Sequence, residues 1–368
     1  MAQKPVLTPN LEFPSSERVV NVSVINSTAR IRCPLGFFVQ DPLPGHETLN
    51  CPAFVFLIEG PQGKKVLFDL GVRTDKESLP PVIRSGLAGL QMDTEKDVAK
   101  ILQAHGISPA EIDSIIWSHW HVDHVGNPAI FPPNVSLVVG PGFSNAFLPG
   151  YPADPDGVIL EADYAGRELR EINFNTGLYI GGFPAMDFFG DGSFYLLDAP
   201  GVTRTTPSTF IFMGADGCHH CGSLRPNNYL PRPSELSPSP FSDPPHLQGT
   251  VCPGAVLQTI RPGHRPTEPY YNRLAPAHTR DVPLAEATIS KMISFDASDD
   301  IFIILAHDKS LLEVIDFFPN KANEWKTKGW KDTGRWRFLE DFKDAITNVS
   351  LLTPREPTSL EISAESVS

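Results

Sequence analysis

The 368-residue sequence has little of three features that would narrow its function at once. Its 5 cysteines are an odd and scattered set, which argues against a disulfide framework and suits a reducing compartment. Its 30 basic residues stand against 43 acidic ones, and the net charge of −13 argues against nucleic acid or anionic lipid as a partner. No apolar run approaches the length of a membrane span.

The first twenty residues also lack the basic start and apolar stretch of a secretory signal, so a cytoplasmic protein is expected. Proline, by contrast, is abundant: the 37 prolines are about twice the usual share and predict long irregular segments. Hydrophobic residues make up 41% of the chain, which is enough for a sizeable core.

The most informative stretch is the run SHWHVDH at residues 118–124, directly after the apolar residues 115–117. Histidine and aspartate are costly to bury unless they are paired or bind a metal. Imidazole and carboxylate groups are good zinc ligands, and two neighbouring ions can activate one water for attack on a carbonyl. The run therefore predicts a metal site rather than a loop of satisfied polar residues. Its candidate ligands are His119, His121, Asp123 and His124.

This run resembles the His-x-His-x-Asp-His signature of the metallo-β-lactamase superfamily. Four further segments resemble strand ends of that family in the same order, at residues 66–71, 196–201, 214–216 and 303–308. The resemblance extends over about residues 18–320. It implies an α/β fold of the αββα four-layer sandwich type and a zinc-dependent hydrolase. The stretch at 218–220 and the proline-rich segment after it are most similar to a fungal, lactonase-like branch.

The resemblance also implies a divided set of ligands for up to two zinc ions. The implied metal ligands are His119, His121, Asp123, His124, Asp216 and His307. The first two would hold metal one, Asp216 would bridge, and the other three would hold metal two. Asp123 is also the expected catalytic residue, because it would take or position the proton of the attacking water.

One ligand of the family pattern is missing. The family has a histidine directly after the segment that matches 196–201, where Val202 stands in this chain. The interval to Asp216 is short as well, so we infer a small internal deletion, either a real loss or an error at an exon boundary. Metal one should then be weakly held, with nearer one ion than two per chain. His219 or His220 is a candidate substitute, although the Cys218–Cys221 spacing also allows a structural zinc.

The predicted activity is hydrolysis of a small-molecule lactone, ester or thioester by a metal-bound hydroxide, which the resemblance places in fungal secondary metabolism. The alternative is a degraded relative that keeps the fold and at most one metal, with little turnover. The predicted organisation is a flexible segment at 1–17, a metallo-β-lactamase-like domain at 18–352 with a proline-rich insert at 222–282, and a flexible tail at 353–368.

Periodicity and turn residues predict the local structure. Helices are expected at 93–105, with Thr94 as the cap, and at 283–294 and 310–318, while the insert is expected to form a surface loop or lid. Asp69 follows an apolar strand and either orients a ligand histidine or caps a turn. The predicted strands are 19–31, 53–58, 65–69, 114–118, 136–139, 177–181, 185–189, 193–197, 209–213 and 301–305.

Overall fold

The structure, a computed structural model, describes residues 6–199, 201–242 and 251–346. The tail predicted at 353–368 lies outside these residues. The strands, in chain order, are β1 (Asn21–Asn26), β2 (Arg30–Pro34), β3 (Thr48–Cys51), β4 (Phe54–Glu59), β5 (Lys65–Phe68), β6 (Gln91–Asp93), β7 (Ser114–Ile116), β8 (Ser136–Val139), β9 (Leu169–Glu171), β10 (Leu178–Ile180), β11 (Phe183–Asp187), β12 (Phe194–Leu197), β13 (Gly201–Thr206), β14 (Thr209–Ala215), β15 (Glu235–Leu236), β16 (Cys252–Pro253) and β17 (Ile301–Leu305).

The α-helices are mostly short and stand between the strands. They are α1 (Pro81–Gly86), α2 (Val98–Ala104), α3 (Val122–Val125), α4 (Phe143–Phe147), α5 (Glu161–Tyr164), α6 (Gly254–Ile260), α7 (Val282–Ala297) and α8 (Trp330–Gly334). Within the described ranges, no helix is long and apolar enough to cross a membrane.

Two six-stranded mixed sheets form the body of the fold. The first has the order β1-β4-β5-β7-β8-β9, with β5, β7, β8 and β9 parallel to one another. The second has the order β10-β11-β12-β13-β14-β17, and its last pair, β14 with β17, is parallel. A three-stranded sheet, β3-β2-β6, and the small pair β15-β16 complete the structure.

Alternating side chains show that the two large sheets pack face to face. Phe54 and Phe56 of β4 point into one core together with Ile211 and Met213 of β14. Their neighbours point away: Val55 packs with the helix α2, and residues 210 and 212 pack with the helix α7. Because successive side chains of a strand leave on opposite faces, this partition defines helix, sheet, sheet and helix layers. The predicted αββα sandwich is confirmed.

Several local predictions were wrong because distant strands decide the local structure. Asp93, expected to begin a helix, is instead the last residue of β6, which pairs with β2, so the helix begins only after Asp97. Thr94 caps nothing and binds the backbone oxygen of Ser27. The single strand expected at 19–31 is interrupted at Thr28, whose φ is +62°. The helix expected at 310–318 is a 3₁₀ turn followed by a segment that hydrogen-bonds along β1 through the N–H of Phe318.

The proline-rich insert differs most from its expected loop structure. Its described parts contain α6, and Leu224, Leu257 and Tyr270 are buried in the core beside the second sheet. Arg225 forms a buried ion pair with Asp296 of α7. The described part of the N-terminal segment is also packed: Leu11 is buried, and Phe13 stacks on Phe210. The domain boundaries remain predictions.

Candidate metal centre

Strand ends bring the predicted ligands to one edge of the sandwich. The chain leaves β7 at Ile116 and carries His119 and His121 on the turn that leads into α3, the helix that contains Asp123 and His124. Asp216 follows β14 directly, and residue 307 follows the neighbouring parallel strand β17. The carboxyl ends of these strands meet because the two sheets face each other. The structure therefore brings all six predicted side chains together.

The carboxylate of Asp216 lies at the middle of this cluster. Its Oδ1 is 3.0 Å from Nε2 of both His124 and His307, and its Oδ2 is 3.4 Å from Nε2 of His119. We call Asp123, His124, His307 and the Oδ1 atom the Oδ1 side. We call His119, His121 and the Oδ2 atom the Oδ2 side. The ligand atoms within each set of three side chains lie within 4.8 Å of one another.

Hydrogen bonds on the far nitrogens fix the imidazole orientations on both sides. Nδ1 of His124 lies 2.8 Å from Oδ2 of Asp69, and Nδ1 of His307 lies 2.7 Å from the carbonyl of Pro52. These partners accept hydrogen bonds, so each ring carries its proton on Nδ1. Ser118 donates its Oγ proton to Asp69 and can therefore accept from Nδ1 of His119, at 3.0 Å. All three rings then direct an Nε2 lone pair at Asp216.

This arrangement fits a bound cation. Nε2 of His119, Nε2 of His124 and Oδ1 of Asp216 are buried and have no hydrogen-bond partner among the described residues. Lone pairs that face lone pairs at 3.0–3.4 Å repel unless a positive charge lies between them. Zinc bonds of about 2.0–2.1 Å at tetrahedral angles put two ligand atoms about 3.3 Å apart, close to these separations. The donor set of imidazoles and carboxylates also suits zinc.

The electrostatics favour a cation as well. Burial alone would lower the pKa of His124, but Asp216, Asp69 and Asp123 raise it well above its ordinary value. Burial would also lower the pKa of His307, but Asp216 raises it well above its ordinary value. Burial would raise the pKa of Asp216, yet the surrounding imidazoles hold it well below its ordinary value. The site thus stabilises positive charge beside an ionised carboxylate, as a metal site does.

Asp69 orients both sides of the site. It sits at the end of β5 with a φ of +64°, and its Oδ1 accepts the backbone N–H of Ser118 at 2.7 Å. Its Oδ2 accepts from the ring of His124 and from the Ser118 hydroxyl, which in turn contacts His119. Of the two roles considered for Asp69, the geometry favours orientation of histidines. No local pattern indicated the link through Ser118 or the contact with the Pro52 carbonyl.

A cavity of about 440 Å³ opens onto the Oδ2 side. Ser118, His119, His121, Asp216 and His219 form its polar floor, whereas Asp123, His124 and His307 do not line it. Its walls come from the loop that contains Phe38 and from the insert, the expected surface loop or lid, through Leu274, His278 and Arg280. A substrate would therefore approach the metal pair from the Oδ2 side.

The segment with the missing histidine forms a strand. Val202 lies in β13, opposite Tyr195, and its side chain is fully buried in the core shared with α7. It does not line the cavity. His219 does line the cavity, and its Nε2 is 3.2 Å from Oδ2 of Asp216. His220 points the other way and contacts Asp341.

Two facing mixed sheets with a histidine–aspartate cluster at one shared edge define the metallo-β-lactamase class of fold and site. The sequence profile of the metallo-beta-lactamase superfamily matches residues 49–148. The chain is 40% identical over 357 residues to the gamma-lactamase FDB1 of Fusarium pseudograminearum, covering 91% of this chain and 86% of that protein. It is 42% identical over 354 residues to the metallo-hydrolase mfmC of Annulohypoxylon moriforme, covering 92% and 91%. The chain belongs to the metallo-β-lactamase superfamily.

A solved structure shows the same fold. It is a mutant of AiiA from B. thuringiensis with N-decanoyl-L-homoserine bound at the active site. The TM-score is 0.55 at 16% identity, with 83% of this chain and 99% of that chain covered. At this identity the likeness concerns the fold.

Proposed function

We propose that the chain is a zinc-dependent hydrolase of a small-molecule lactone, ester or thioester. The observation that carries the proposal is the convergence of three oriented imidazoles on the two oxygens of Asp216 beside an accessible cavity. The two fungal relatives and the lactonase-like fold support hydrolysis of a cyclic acyl compound in fungal secondary metabolism. Five free, buried cysteines support a cytoplasmic location.

The proposed chemistry follows from where each residue lies. A pair of divalent ions, when bound, lowers the pKa of a water and polarises the carbonyl under attack. His119 and His121 present their imidazoles at the cavity floor, where an acyl group would lie. Phe38 and Leu274 form an apolar wall that would hold the ring of a lactone and exclude water.

Asp123 has a more enclosed position than its expected proton-accepting role requires. Its Oδ2 is 3.5 Å from Nε2 of His307, and its side chain is 13% exposed. Asp123 does not line the cavity, so its position supports a role as a metal ligand more strongly than direct contact with the substrate. Asp123 remains the proposed catalytic residue because its loss would remove the Oδ1-side ion and any proton acceptance together.

The name of the Fusarium relative favours a second substrate class, a γ-lactam. An amide carbonyl suits the same chemistry as an ester, and the lining of the cavity does not distinguish the two. The activity is also expected to depend on free zinc: with Val202 in place of a histidine, the Oδ2 side has fewer ligands and should lose its ion first.

The test is metal removal from the purified chain. Metal content is measured by elemental analysis, and hydrolysis is followed with a γ-lactone, a γ-lactam, an aryl ester and a thioester, before and after dialysis against a chelator. We expect at least one substrate to be hydrolysed, the activity to disappear with the metal, and zinc to restore it. Hydrolysis that persists without metal, or an absence of both metal and hydrolysis, would contradict the proposal.

A further inference from the structure

His219 lies three residues after Asp216, and its ring faces that carboxylate, whereas the ring of the adjacent His220 does not. After β14 the chain turns tightly at Gly217, whose N–H donates to the carbonyl of Gly214 at 2.9 Å. A side chain at Gly217 would collide with Met292 of α7, with its Cβ only 2.6 Å from the sulfur. Cys218 is anchored in the core, and the turn sends His219 back over Asp216.

Two aromatic contacts hold the ring of His219 in one plane. Phe38 stacks on it with ring centres 3.7 Å apart and planes at 13°. The ring of His307 lies nearly parallel to it, 5.6 Å away at 17°. Phe38 is itself tied to the insert, since its carbonyl accepts the N–H of Ala275. A ring held this way keeps its edge, with Nε2, directed at Oδ2 of Asp216.

The position of that nitrogen matches a ligand atom. Nε2 of His219 is 3.2 Å from Oδ2 of Asp216, and Nε2 of His119 is 3.4 Å from the same oxygen. Both separations are close to the roughly 3.3 Å expected between two ligands of one zinc ion. His219, Asp216 and His307 also offer ligand atoms within 4.8 Å of one another. His219 therefore borders both ions and approaches the carboxylate at its Oδ2 atom.

The adjacent histidine shows that this placement is specific. Nδ1 of His220 accepts the N–H of Gly222 at 3.0 Å, so its proton lies on Nε2, which faces Asp341 at 3.3 Å. Both ring nitrogens are occupied, and Nε2 has no lone pair to offer. The buried cluster of His46, His220 and Asp341 is therefore a hydrogen-bonded network rather than a zinc site.

We propose that His219 is a metal ligand of this chain and takes the place of the histidine lost at Val202. The inference rests on the proposed metal-dependent function, but not on which substrate is hydrolysed. It changes the expected occupancy from nearer one ion to two, with the Oδ2-side ion held less tightly. The missing ligand is then supplied from the end of β14 rather than from the segment after β12.

The test measures metal binding directly. His219→Ala and His219→Gln are compared with the unaltered protein and with His105→Ala, which removes an exposed histidine at the end of α2. Zinc content and affinity are measured by elemental analysis and by competition with a chromophoric chelator. The cobalt-substituted proteins are compared by visible absorption, and melting temperatures monitor folding. Two variants are used so that the test still stands if loss of the Phe38 stack unfolds one of them.

We expect both His219 variants to lose one ion per chain, or to bind it more weakly by at least the roughly 10–100-fold that loss of a ligand-orienting group costs, with a changed cobalt spectrum, while His105→Ala behaves as the parent. Two ions held with unchanged affinity in both folded variants would overturn the inference, and so would a parent that binds a single ion. The proposed function would survive either result if chelation still abolished hydrolysis. A parent that binds no metal would overturn both.

Discussion

The two sides of the candidate metal centre share one carboxylate but differ in how firmly their imidazoles are held. On the Oδ1 side, the side chains of His124 and His307 are 1% and 4% exposed, and each ring donates to a buried acceptor. On the Oδ2 side, His119 is 25% exposed, and its ring is linked to the Asp69 carboxylate only through the hydroxyl of Ser118. The Oδ1 side resembles a structural site, whereas the Oδ2 side resembles an open catalytic one.

The cavity opens on the side of the site for which the family pattern has an additional histidine. The imidazoles of this side are more exposed, so a substrate would meet the ion that the protein would hold less tightly. An ion with an open coordination position can take up water or a substrate oxygen, which a saturated ion cannot. The replacement of a histidine by His219 proposed above thus concerns the side where chemistry is expected, and zinc supply should control activity there.

Removing Asp123 should give the largest effect. Asp123→Ala is expected to abolish hydrolysis of every substrate that the chain turns over, with little change in fold, because it takes a ligand from the more firmly built side. The measurement is turnover, together with zinc content and melting temperature. Asp156→Ala, at an exposed position, serves as the control. Activity that survives in folded Asp123→Ala would refute the role assigned to this carboxylate.

The contrast between these sides also shows what the sequence could predict. The motif at 119–124 placed four ligands by local spacing, and the resemblance placed Asp216 and His307 at strand ends, where the structure has them. The partners on the far nitrogens were missed or left open. Ser118, Pro52 and Asp69 contact the ligands through pairings of distant segments, which a local pattern does not contain.

The same reason explains the errors in the fold. β6 exists because it pairs with β2, and β13 because it fits between β12 and β14. No strand was predicted at residues 201–206, where a small deletion was inferred, yet Val202 is fully buried in β13. Strand pairing across the sheet overrode the local pattern, as it does wherever an element is stabilised by its neighbours.

Replacing Asp69, which accepts the hydrogen bond of the His124 ring, should weaken zinc binding on the Oδ1 side without removing a ligand. In Asp69→Asn the amide nitrogen can take the place of Oδ2 and donate to Nδ1 of His124. The ring proton then moves to Nε2, which can no longer bind zinc. We expect zinc affinity on the Oδ1 side to fall about 10–100-fold. Chelator competition measures the change, with Asp113→Asn, near the opposite end of the same strands, as the matched control. Unchanged affinity would mean that Asp69 only caps the turn.

The smallest expected effect separates the two sides most cleanly. Ser118→Ala removes the hydroxyl between Asp69 and His119. It leaves the hydrogen bonds that the backbone N–H of residue 118 and the ring of His124 donate to Asp69. The Oδ2-side ion should therefore bind about tenfold more weakly, at the low end for the loss of a group that orients a ligand, while the Oδ1-side ion is unaffected. Stepwise zinc titration resolves the two ions. Ser114→Ala, whose hydroxyl contacts Ser136 at the start of the same strand, is the control. If both affinities fell together in Ser118→Ala, the two sides would not be independently supported, and the division at Asp216 would have to be abandoned.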